Sequence, residues 1–317
     1  MTTVTLYWNH ICVLHRQEKA FLEKLTEKLR GEGIALRTRF FGLGYPMHLS
    51  EYLAREDAEL PDVIVSADLE IFEDPRIYGK LRERLYPAAG VGAADAWLPL
   101  RESAALTAAR RGEYLLPFVS IPLVYYTREP ARCAETALAD WEGLSLGGVN
   151  NSAGKTVVKA VWQRWGKEAA ARFLEKNSVA DMPIGAYQSV RTGAAKTALV
   201  PSLYALRADE KETFLRIPQE GALLVSSYFC AARTIPEKMA RRVAEELLGG
   251  ALCEFYVSGG DLIVHPAAVA GRSKMESGRC CAPTASWLGT LAPQEFYEVY
   301  TKYLETACDP VKKAALG

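Results

Sequence analysis

At 317 residues, 49% of them hydrophobic, the chain is long enough for two domains with real cores. Its 38 basic and 38 acidic residues cancel, so no global field favours nucleic acid or an anionic membrane. No apolar run approaches the roughly 18 residues a membrane helix needs, which argues against membrane insertion. Seven cysteines, at 12, 133, 230, 253, 280, 281 and 308, are odd in number and scattered. That pattern excludes a dense disulfide framework and favours a reducing compartment. Met1 is not followed by a basic segment and an apolar one, so no signal peptide is expected. The chain reads as cytoplasmic, or as periplasmic or otherwise extracytoplasmic if a leader has been removed.

In chain order, Val4–Trp8 is strand-like and 9–15 is a loop or first turn. Arg16–Arg30 carries Ala20, Phe21, Leu25 and Leu29 at helical spacing, and Gly31 and Gly33 end it. A second strand over 34–41 and a short helix over 48–55 follow. Pro61–Glu70 reads as a buried parallel strand whose end carries Ser66, Asp68 and Glu70, where a ligand lies in a doubly wound sheet. Strand–helix–strand–helix–strand predicts a parallel sheet covered by helices.

Leu116–Tyr126 is short, apolar, β-branched and aromatic, and is interrupted by Pro117 and Pro122. Proline lacks the N–H that a ladder uses, so this run reads as an extended crossover from one α/β lobe to another. Gly221–Phe229 reads as the return crossing. The predicted lobes are 1–118 plus 226–317 and, between the crossings, 119–225. Within the second, Asn151 or Ser152 caps a helix with Val157, Val158, Val161, Trp162 and Trp165 on one face. Further helices are expected over 167–177, 186–193, 236–248 and 293–307, with a strand over 197–200.

Several stretches together resemble the type II periplasmic solute-binding proteins, in the iron- and anion-binding branch that serves ABC importers. They are Pro61–Arg76, the crossover ending in Tyr125-Tyr126, Trp141–Leu144 before Asn150–Lys155, Asp181–Gln188, Ala198–Tyr204 and Pro218–Ala222. The order and spacing carry the likeness over roughly residues 3–267. It implies a Venus-flytrap α/β fold: two doubly wound lobes, two crossover strands and a solute held between the lobes.

The candidate ligand residues are Asn9, His10, Ser66, Asp68, Asn151, Ser152, Tyr187 and Tyr204. His10, Cys12 and His15 place two imidazoles and a thiol within six residues, donors suited to iron, zinc or copper. The spacing matches no standard zinc pattern, so a packed loop is the competing reading. Asp68 or Glu70 is the candidate carboxylate, against a plain turn cap. Tyr204 falls near where ferric-binding relatives carry phenolate ligands, but Leu203 and Ala205 leave it without an adjacent Tyr. The Asn150–Lys155 helix start favours an anion. A nucleotide P-loop fails there, because five residues rather than four separate Gly148 from Gly154. A thioredoxin-like start fails too, because His15 stands where a second Cys is needed.

The expected function is capture of a small anionic or metal-containing solute, iron or an oxyanion, without chemistry on it. An ABC permease is the partner if the chain is exported, and the protein is expected to act as a monomer. The alternative is an iron–sulfur or other soft-metal centre on the same fold, ligated by Cys12, Cys230 and one or both of Cys280 and Cys281.

Overall fold

A computed structural model of the chain describes every residue except 10, 12–13, 43, 99, 101, 149–150, 249, 259–261, 264–278 and 308–317. The chain opens with β1 (Thr2–Asn9), α1 (His15–Gly31), β2 (Ile34–Phe41), α2 (Leu49–Ala54) and β3 (Val63–Ser66). Helices α3 (Glu70–Glu73), α4 (Pro75–Arg82) and α5 (Ala104–Ala109) lead to the long strand β4 (Leu116–Thr127). Next come α6 (Pro130–Glu135), β5 (Leu144–Gly147), α7 (Ser152–Trp165), α8 (Lys167–Lys176) and β6 (Ser178–Ala180). They are followed by α9 (Pro183–Thr192), β7 (Thr197–Pro201), α10 (Ser202–Ala205) and β8 (Phe214–Arg216). A second long strand, β9 (Ala222–Ala231), precedes α11 (Glu237–Leu247), α12 (Gly250–Ser258) and β10 (Leu262–Ile263). The chain then forms β11 (Cys280–Cys281), α13 (Ala285–Leu288) and α14 (Pro293–Ala307).

These elements group into two units, and β4 and β9 are the strands that pass between them. The first comprises Met1–Ser120, Ser226–Ser258 and β10; the second comprises Ile121–Val225 with β11, α13 and α14.

In the first unit the strand order is β2-β1-β3-β9. β1 is parallel to β2 and to β3, and β3 is antiparallel to β9. Val4, Leu6, Tyr7 and Trp8 are all buried, as expected for a strand covered on both faces. Trp8 meets Phe118 edge-on, and Phe118 meets Tyr256 in the same way, with ring centroids 6.2 and 5.5 Å apart. Each such ring contributes about 1.5–3 kcal/mol by leaving water. The buried stripe of α1 is Glu18, Leu22, Leu25 and Leu29. The expected stripe differs in part: Ala20 is exposed and Phe21 half-buried.

In the second unit β6, β5 and β7 are parallel neighbours, and β4 pairs antiparallel with β7. All twelve residues of β4 are buried. Its ladders to β10, at Val119 and Ser120, and to β7, from Leu123 to Thr127, leave Pro122 between them, so neither requires its missing N–H.

The described tail corrects the expected division, which gave 226–317 entirely to the first lobe. α14 lays Phe296 against Trp162 of α7, with centroids 6.2 Å apart, and Lys159 Nζ sits 4.7 Å from the Phe296 centroid. Lys167 pairs with Glu295 at 2.7 Å. A Cβ on Gly154 would fall 2.9 Å from Tyr300 Oη, so the glycine admits α14 at close range.

Candidate functional site

In the first unit the candidate residues gather where parallel strands end. Trp8 pairs with Val65, which places Asn9 and Ser66 level at the carboxyl ends of adjacent strands β1 and β3. That is the edge where ligands bind in open α/β sheets. Ser66 is fully buried, and its Oγ accepts a hydrogen bond from the Asp68 amide at 2.9 Å. Asp68 Oδ2 in turn accepts from the Ser50 amide at 3.0 Å, so the carboxylate braces the first turn of α2. The cap and the ligand roles are compatible, because a carboxylate has lone pairs for several donors. His15 packs edge-on against Phe40 and Tyr45, and its Nε2 lies 3.2 Å from the Tyr45 hydroxyl. His10 and Cys12 lie outside the described residues.

The corresponding edge of the second unit is built from β5, β6 and β7, each of which runs into a helix. After β5 the chain turns through Gly147 and Gly148 into α7. A Cβ on Gly147 would fall 2.2 Å from Pro183 Cα, so this glycine lets the start of α9 approach. Gly148 has φ +97° and lies beside the Asn151 side chain. Asn151 caps α7, with Oδ1 accepting from the Ala153 amide at 2.8 Å. Ser152, the first residue of α7, is buried. From α9 and α10 come Tyr187 and Tyr204, both 5% exposed, with ring centroids 5.6 Å apart.

Around these two phenols lie groups that the sequence reading did not single out as ligands. Tyr126 of β4, opposite Ala198 near the start of β7, packs its ring at a tilt against Tyr187 with centroids 4.7 Å apart, making a row of three phenols. The Arg207 guanidinium carbon lies 5.4 and 5.8 Å from the Tyr204 and Tyr187 centroids, and that of Arg191 lies 6.0 Å from Tyr187. Cations at this range stabilise aromatic faces and favour anionic partners.

No protein-family model matches the sequence, and no curated protein matches it. Solved structures do. A ferric binding protein from Campylobacter jejuni superposes with a TM-score of 0.67 at 12% identity, over 96% of this chain and 99% of that one. Iron-bound HitA from Pseudomonas aeruginosa gives 0.58 at 17% identity, over 98% and 100%. The Trichodesmium protein IdiA (FutA), in complex with iron and citrate, gives 0.62 at 14% identity, over 95% and 99%. The chain has the type II periplasmic-binding-protein fold.

Within this type II fold the expected cysteine centre finds no support among the described residues. Cys230 pairs with Ile64 inside the first unit, is 1% exposed, and has its thiol pushed up to about 12 by burial. It is a small apolar core residue. Cys280 and Cys281 belong to β11 in the second unit. Among the described residues no group of three His, Cys, Asp or Glu side chains is arranged to hold a metal. The iron–sulfur alternative is therefore not supported, and Cys12 lies outside the described residues.

One further residue was missed in the first unit. Glu18 is fully buried, and its carboxylate accepts from the Ile11 amide, Trp8 Nε1 and the Tyr256 hydroxyl. Burial raises its pKa to about 7, outweighing the three donors. The readable signal was its place four residues before Leu22 on the buried stripe of α1.

Proposed function

We propose that this chain is a solute-binding protein that captures iron or a small oxyanion without chemically changing it. The single observation that carries this reading is the composition of the second unit's strand edge. There Tyr187 and Tyr204, a helix start at Asn151–Ser152 and the guanidinium of Arg207 accompany a fold shared with ferric-binding proteins. Phenol oxygens are hard donors suited to ferric iron, while cationic side chains and helix N–H groups suit an anion that accompanies it or replaces it. Asn9, Ser66 and Asp68 are the proposed ligand groups of the first unit, and the sequence expectation adds His10 to them. Tyr204 stands without a neighbouring phenol in sequence, and Tyr187 supplies the nearby ring from another helix.

The fold shared with periplasmic iron-binding proteins supports a periplasmic protein that hands its solute to an ABC permease, and we take it to act as a monomer. Among the described residues no helix is long and apolar enough to cross a membrane. The decisive experiment titrates chain purified without chelator with ferric citrate, and separately with inorganic phosphate, following visible absorption and thermal stability. Ferric capture gives a phenolate-to-iron charge-transfer band that Tyr204→Phe removes. Phosphate capture gives a colourless rise in melting temperature that Ser152→Ala diminishes. A chain that responds to neither solute overturns the reading.

A further inference from the structure

Cys280 and Cys281 are adjacent in sequence, half-buried and not in a disulfide, and the solute-binding reading makes no use of them. They form the whole of β11, which runs parallel to β9 with Cys280 opposite Ala222 and Cys281 opposite Leu223. The Ala222 amide donates to Arg279 O at 2.8 Å, and Cys281 Sγ donates to Gly221 O at 3.7 Å. Gly221 makes this seat. Its φ is +107°, and a Cβ there would stand 2.7 Å from Arg279 O and 3.1 Å from the Cys280 amide nitrogen.

Successive side chains of a strand point to opposite faces, so the two sulfurs diverge while β11 is paired. A disulfide requires Cβ atoms about 3.5–4.5 Å apart, which extended neighbours do not offer. We infer that Cys280 and Cys281 are a redox-active vicinal pair, and that their disulfide and the β11–β9 pairing exclude each other. Reduced, the pair holds β11 on the start of β9; oxidised, the segment leaves it.

The chemistry is exchange with a low-molecular-weight disulfide. One cysteine thiolate attacks the small disulfide and expels one half as a thiolate. The second cysteine thiolate then attacks the mixed disulfide, expels the other half and closes the Sγ–Sγ bond. Two electrons pass from the protein to the small molecule, and the two protons lost by the cysteines end on the two released thiols. Burial raises both thiols, Cys281 to about 11 with the Glu220 charge adding to it, so the paired strand holds little thiolate. Exchange therefore proceeds from the unpaired segment.

The test uses the full chain with excess oxidised glutathione, read by intact mass, peptide mapping and amide hydrogen exchange. The expected product has lost two hydrogen masses, carries a Cys280–Cys281 link, and exchanges its Ala222 amide faster. Dithiothreitol reverses all three changes, and Cys280→Ser abolishes the link. Gly221→Ala, which unseats β11, speeds the reaction about tenfold. Urea below the unfolding transition accelerates it in the unaltered chain as well, which keeps the test open if that variant misfolds. Separate glutathione adducts on the two cysteines, or a linked pair with Ala222 exchange unchanged, overturn the inference.

Discussion

The Tyr256 hydroxyl donates to Glu18 Oε1 at 2.6 Å, joining α12 to the first turn of α1 through a carboxylate with no exposure to solvent. The same carboxylate receives the Ile11 amide at 3.1 Å, so it fixes the chain just after β1, beside the candidate ligand edge of the first unit.

This arrangement predicts an unusual dependence of stability on pH. Glu18 titrates near 4.5 when unfolded and near 7 when folded, so between these values the folded state holds the extra proton. Its contribution is fully present below about pH 4.5, falls as pH rises, and is lost above about pH 7. The full span is about 3 kcal/mol. Glu18→Gln is neutral in both states and lacks the decline. Urea unfolding at about pH 5 and pH 7.5 should therefore show the unaltered chain losing about 2–3 kcal/mol more than the variant. Glu18→Ala should cost about 2–4 kcal/mol at the lower pH, because it strands three buried donors.

The turn after β5 makes a second prediction, in the form of a double-mutant cycle. A Cβ on Gly148 would fall 2.0–2.3 Å from the Asn151 side-chain atoms, and φ is +97°. Gly148→Ala alone should cost about 1–2 kcal/mol or more, and Asn151→Ala about 1 kcal/mol through the lost cap. Together they should cost less than their sum, because truncating Asn151 removes the atoms the new methyl meets. Equal additive costs in urea unfolding would show that the Asn151 cap is not what Gly148 accommodates.

What the sequence revealed of this fold follows from length and burial. The two crossing strands are long, largely apolar runs, and β2 alternates buried apolar residues with more exposed ones such as Arg37, so all three were readable from their pattern. β6 and β8 have three residues each, too few for a period, and only pairing with β5 and β4 defines them. Two of the three phenols were legible: Tyr187 and Tyr204 were marked, but Tyr126 joins them through tertiary packing of residues more than sixty positions apart. The burial of Cys230 was not legible either, since only its pairing with Ile64 inside the first unit shows it to be a core residue.

Cys230 gives a third prediction. At 1% exposure, with its thiol near 12, it should resist a maleimide at about pH 8 in the folded chain and react once the chain is unfolded in urea. Cys230→Ala should leave iron and oxyanion binding unchanged and cost about 1–2 kcal/mol of stability through lost packing. A variant that keeps its fold but loses solute binding would return this thiol to the functional site.

The tail supplies the last prediction. Phe296 touches Trp162 and Tyr300 by ring contact, at 6.2 and 5.3 Å, and lies beneath the Lys159 ammonium. Phe296→Ala should therefore cost about 3–5 kcal/mol, the usual range for a buried aromatic ring. Lys159→Met keeps the aliphatic stem and removes the cation, so it should cost about 0.5–2 kcal/mol. Amide exchange locates the damage: protection should fall in α7 and α8, on which α14 packs, before it falls in β1 or β3. Loss confined to the first unit would contradict the placement of α14, whereas loss beginning in α7 would make the tail an integral wall of the second unit.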